Sequence, residues 1–72
     1  MSYQFTTIIK KEGKWYVARC AELGVVSQGK TIEEAKGNVK EASELYLEGE
    51  PETAKQFSKE PAFITTFELK YA

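Results

Sequence analysis

Histidine and aspartate are both missing from the 72 residues, and cysteine, tryptophan and methionine occur once each. These gaps exclude a good deal of chemistry. Soft metal sites draw on several His and Cys side chains, and hard-cation sites usually draw on Asp, so no metal or other cofactor is expected. The single Cys20 has no imidazole to serve as its base and no second thiol for an internal disulfide. No secretory signal precedes it, so a reducing, cytoplasmic setting is the default. Ten basic and eleven acidic residues leave a net charge of −1, whereas nucleic-acid binders usually carry a strongly basic footprint. Direct nucleic-acid binding is therefore not expected. No apolar run approaches the roughly 20 residues of a membrane helix, so no membrane association is expected.

What is present suits one small folded domain spanning residues 1–72, with 42% hydrophobic residues. Chains this short bury only about 60% of their unfolded surface and commonly need reinforcement. With disulfides and metals set aside, self-association into a homodimer or higher homo-oligomer is the expected reinforcement.

Two segments rich in aromatic and β-branched residues, 3–11 and 15–20, flank Gly13 and predict a β-hairpin. A Glu12-Gly13 turn would set Ile9 opposite Tyr16, Thr7 opposite Ala18 and Phe5 opposite Cys20. The expected core face then holds Tyr3, Phe5, Thr7, Ile9, Tyr16, Ala18 and Cys20. Ile8, Trp15, Val17 and Arg19 fall on the outer face with Gln4, Thr6 and Lys10, placing Ile8 beside Val17 and Trp15 opposite Lys10. Residues 21–24 read as a loop and 25–29 as a short third strand. Thr31 is a good N-cap, and Glu34 can complete a capping box. Ile32, Ala35, Val39, Ala42 and Tyr46 form an apolar helical stripe with Leu45 on its flank. Gly37 lies inside this helix, where a close approach to the sheet would explain it; Gly49 and Pro51 end it. Residues 50–61 are polar, with Pro51 able to start a short turn reaching Phe57. Residues 63–71 alternate Phe63, Thr65, Phe67, Leu69 and Tyr71 against Ile64, Thr66, Glu68 and Lys70, the pattern of a final strand. The expected fold is α+β, in the order β-β-β-α-β, with one long helix on one face of a mainly antiparallel sheet.

From Gly13 to Leu47 the sequence resembles the N-terminal domain of the HicB-like antitoxins. Gly13-Lys14-Trp15-Tyr16-Val17-Ala18-Arg19-Cys20-Ala21-Glu22-Leu23 is similar to that family's hairpin strand and following loop. Gly24-Val25-Val26-Ser27-Gln28-Gly29-Lys30-Thr31-Ile32-Glu33-Glu34-Ala35 is similar to its short strand and helix cap, and Asn38, Glu41, Ala42, Leu45, Tyr46 and Leu47 match its helix. The resemblance implies a partial ribonuclease-H-like fold with the last strand beside the first. It also implies an antitoxin that binds and masks a HicA-like, mRNA-cleaving toxin. Ala21 stands where the family often has proline, and the loop at 23–25 is one residue shorter. Only Ala72 follows Tyr71, so no C-terminal DNA-binding domain is expected.

Fold likeness also raises a nuclease of the ribonuclease H type, but such sites cluster carboxylates, mostly Asp, around two metal ions. The sequence therefore predicts a protein-binding module and not an enzyme. The alternative is an orphan oligomeric module with no toxin partner or DNA-binding role. Candidate interface residues are Ile8, Trp15, Val17 and Arg19 on the outer sheet face, Glu22 and Leu23 in the loop, and the helix row Glu41, Glu44 and Glu48. Trp15 is an anchor of the kind interfaces favour, or a cover for the sheet packed against the linker near Phe57. The glutamate row is a solvated face, or the complement of a cationic toxin.

Overall fold

The computed structural model describes residues 3–57 and 59–71. Three antiparallel strands, β1 (Thr7–Glu12), β2 (Trp15–Cys20) and β3 (Val26–Gly29), form a sheet in the order β1-β2-β3, and α1 (Ile32–Gly49) follows. The helix packs on one face, giving the expected α+β layering.

The hairpin closes through Gly13 and Lys14, with Glu12 paired to Trp15. Gly13 has φ +63° at the first loop position, which two-residue hairpin turns require to be left-handed. A Glu12-Gly13 turn would put a glutamate there. The true loop lies one residue further along, so every partner shifts by two: Ile9 faces Ala18 and Thr7 faces Cys20. A shift of two preserves the faces. Ala18 and Cys20 are buried, and Phe5, Ile9 and Tyr16 pack around them as expected.

Ala35 and Val39 of α1 complete the core beneath the helix. Thr31 Oγ1 accepts from the backbone N–H of Glu34 at 3.0 Å, as an N-cap should. The Glu34 carboxylate reaches past the expected partner and accepts from the N–H of Lys30 at 3.2 Å. The apolar stripe is narrower than its periodicity suggests. Ile32 and Tyr46 are exposed, while Ser43 and Leu47 are half-buried. An 18-residue helix runs about 27 Å and overhangs strands of four to six residues, so its ends lack a sheet to cover.

Close approach of helix to sheet occurs at Gly29 and not at Gly37. A Cβ on Gly29 would lie 2.5 Å from the Ala35 backbone nitrogen, whereas one on Gly37 would meet nothing within 4 Å. Asn38 Nδ2 adds a 2.8 Å hydrogen bond to the Gln28 carbonyl, tying α1 to β3. Beyond the helix, a 3-10 turn (Thr53–Gln56) leads to Phe57, whose ring meets Phe5 edge-on at 5.5 Å between centroids.

Residues 61–71 belong to no helix or strand and are exposed throughout. The alternation expected of a final strand is present in the sequence, but among the described residues the segment pairs with no strand, and the strand implied beside β1 is not formed. The radius of gyration is 14.0 Å, along extents of 45 × 25 × 18 Å, against about 11 Å for a compact chain of this length.

Candidate functional site

With α1 on one face, the other face of the sheet lies open. Its side chains form rows set by strand register. Ile8, Arg19 and Val26 make one row, Lys10, Val17 and Gln28 the next, and Glu12 pairs with Trp15 beyond them. Ile8, Lys10, Glu12, Val17, Arg19 and Val26 line a shallow groove of about 240 Å³. Ile8 and Trp15 are each 40% exposed and Val26 57%, so the face presents apolar ground around one guanidinium. The register alters two expected neighbours. Trp15 sits across from Glu12 and not Lys10, and Ile8 lies across from Arg19 and diagonal to Val17. Packing of Trp15 against Phe57 is also replaced, because Phe57 meets Phe5.

The loop candidates fall elsewhere. Leu23 is half-buried against the core cluster. Glu22 clamps the approach to β1: its Oε1 accepts from the Thr6 N–H at 2.7 Å and its Oε2 from the Thr6 hydroxyl at 2.8 Å. The Cys20 thiol lies 3.9 Å from Oε1. Partial burial pushes the Glu22 carboxyl up, but the Thr6 donors, its own N–H and the Cys20 thiol together outweigh that and hold it below its ordinary value. Nothing in the local spacing signals this contact between residues 16 apart.

A carboxyl depressed in the folded state contributes stability above the unfolded pKa of about 4.3, and that contribution is lost as pH falls through the lower folded value. Glu22→Gln replaces an acceptor with a donor facing Thr6. The variant is therefore expected to be less stable than wild type at pH 7, with the gap shrinking as pH drops below about 4. Urea unfolding at both pH values checks this, and a gap independent of pH would exclude the clamp.

The helix candidates divide. Glu41 and Glu48 are exposed, while Glu44 stands at the rim of a second groove of about 350 Å³ between α1 and the β1 edge. The structure thus groups Ile8, Val17 and Arg19 in one groove with Trp15 at its end, and separates them from both the loop pair and the glutamates. Val26, Lys10 and Glu12 belong to that face and had not been singled out as interface candidates. Their alternation across β1 and β3 is the signal that locates them. Among the described residues, no three His, Cys, Asp or Glu side chains gather at metal-binding distance, and no helix is long and apolar enough to cross a membrane.

A protein from Helicobacter pylori (strain J99) named UPF0150 protein is 42% identical over 67 residues, a match covering 90% of this chain and 93% of the relative. The chain belongs to the UPF0150 family. No family model matches it, and no solved structure does. Because the UPF0150 match spans nearly both full lengths, it takes in the strands that build the open face and the helix packed behind them.

Proposed function

We propose that this UPF0150 chain is a HicB-like antitoxin module, which binds a small HicA-like mRNA-cleaving toxin and masks its RNA-binding surface. The open sheet face carries the reading: a guanidinium flanked by Ile8 and Val26, with Val17 beside it and Trp15 at the margin. Tryptophan and arginine on apolar ground are the residues on which protein interfaces concentrate their energy. The resemblance from Gly13 to Leu47 supports the antitoxin role. The protein acts by occupying its partner's surface, with no bond made or broken.

The test is co-expression with the product of a neighbouring short reading frame encoding a basic, single-histidine protein. Restored growth and a purified complex are expected. A toxic neighbour that this chain neither binds nor neutralises overturns the reading. Within the complex, Trp15→Ala should weaken binding by more than about fivefold, or roughly 1 kcal/mol, in calorimetric titration with the helix signal intact. An unchanged titration would remove Trp15 from the interface.

Glu41, Glu44 and Glu48 make no ion pair among the described residues, so their charge remains available to a cationic toxin. Glu44→Lys with Glu48→Lys is expected to slow association, with the effect fading at high salt. Stopped-flow rates indifferent to both charge and salt would exclude steering by this row.

A further inference from the structure

The sole arginine of the chain stands at the centre of the open sheet face. Arg19 lies on β2, the middle strand, between Ile8 on one side and Val26 on the other, with Val17 two residues along. It is exposed and makes no ion pair or side-chain hydrogen bond among the described residues. Lys10, in the next row, makes no ion pair among them either. Glu12, at the Trp15 end, is the only acid lining the groove. Two cations against one acid leave this face positive, although the whole chain carries −1. The glutamate row of α1 is behind the sheet and supplies no counter-charge here.

We infer that Arg19 is the residue by which this face selects its partner, and that its occupant is an Asp or Glu side chain presented among apolar neighbours by a foreign protein. The inference rests on the antitoxin reading above, which makes that protein the toxin and gives it an acid at the point of contact. A guanidinium offers a planar fork of donors, which a carboxylate meets with two parallel bonds. Once covered, Ile8, Val17 and Val26 keep water from such a pair. A shielded pair discriminates sharply, because a partner lacking the acid leaves the guanidinium buried and unpaired.

The same arrangement disfavours other occupants. A two-fold contact between copies of this face would bring the middle strands together about the axis and set Arg19 against its counterpart. Like charges opposed in this way work against association. A nucleic-acid strand needs a run of cations along its phosphates and aromatic platforms for its bases. This groove of about 240 Å³ has aliphatic walls, and Glu12 lines it as well. A uniformly cationic protein surface is repelled by Arg19 and Lys10, so the toxin must interrupt its own cations with an acid where it meets this face.

The test is calorimetric titration of the neighbouring frame's toxin into the full chain and its Arg19 variants. Arg19→Glu should weaken binding about a hundredfold, and Arg19→Lys, which keeps the charge but loses the fork, about tenfold. Changing one toxin acid to Arg should restore binding to Arg19→Glu while weakening it to wild type. Should Arg19→Glu fail to fold, Arg19→Met keeps the apolar stem and should also lose about tenfold or more. Binding left unchanged by these substitutions overturns the inference and spares the antitoxin reading, as does a loss that no acid-to-Arg change restores. A toxin that wild type does not bind overturns the reading and the inference with it. Two controls identify the wrong occupant. If Arg19→Glu alters the sedimentation mass of the chain alone, the face meets a second copy; if it abolishes binding of a labelled oligouridylate, the face meets phosphate. Either result overturns the inference.

Discussion

Gly29→Ala is expected to destabilise the domain by about 1–3 kcal/mol, the usual cost of overpacking a tight interior. The added carbon would lie 2.5 Å from the Ala35 nitrogen and 2.8 Å from the Glu34 carbonyl carbon. Both are backbone atoms, so no side-chain rotation relieves the clash. That same Ala35 N–H donates to the Thr31 carbonyl at 3.0 Å, within the first turn of α1. Relief would require the start of the helix to lift from β3, weakening the Asn38 bond to Gln28. At about 4–8 °C per kcal/mol for a domain of this size, the melting temperature should fall by roughly 5–20 °C. Gly37→Ala supplies the contrast. With open space around it, it should gain about 0.5–1 kcal/mol from helix propensity. Thermal melts of the two variants that moved in the same direction would contradict the packing described.

Val39→Ala is the second large effect. Val39 is 1% exposed and, with Cys20, among the largest fully buried side chains. Removing two methyl groups forfeits about 1.6 kcal/mol of transfer free energy at roughly 0.8 per carbon. A cavity term adds to this, because the surrounding β2 and helix backbone relaxes only in part. A loss of about 2–3 kcal/mol is expected, visible as a lower urea midpoint with little change in slope. A midpoint shift equivalent to less than half a kilocalorie would mean that Val39 does not anchor the helix. Few other side chains share its burial, so little remains to compensate.

Much of this architecture was legible from periodicity and capping. The strand faces were readable because alternation is insensitive to a slip of two, and Ile9, Ala18 and Cys20 stayed inward despite the displaced turn. The turn itself hinged on which loop position takes the left-handed φ, and Gly13 fits either a first-place or a second-place reading until Glu12 is weighed. Helix boundaries followed from Thr31 and Gly49. Tyr46 and Ile32 were misplaced because the stripe records which side of a helix is apolar and not how far the sheet beneath it extends. Gly29 and Gly37 are indistinguishable by type; only the crossing of α1 over β3 separates them. The outer face was readable on β1 and β2, whereas Val26 required the β2–β3 register.

Among the described residues β1 pairs on one side only, and residues 61–71 lie exposed outside any strand, which sets how this protein behaves while it folds. An unpaired edge and an apolar segment are templates for strand addition between molecules, so concentrated chains are prone to aggregate. Glu68 and Lys70, charges set within the apolar stretch, oppose stacking of like strands. Dilution during renaturation should therefore raise the yield of discrete particles, and crowding should favour fibres.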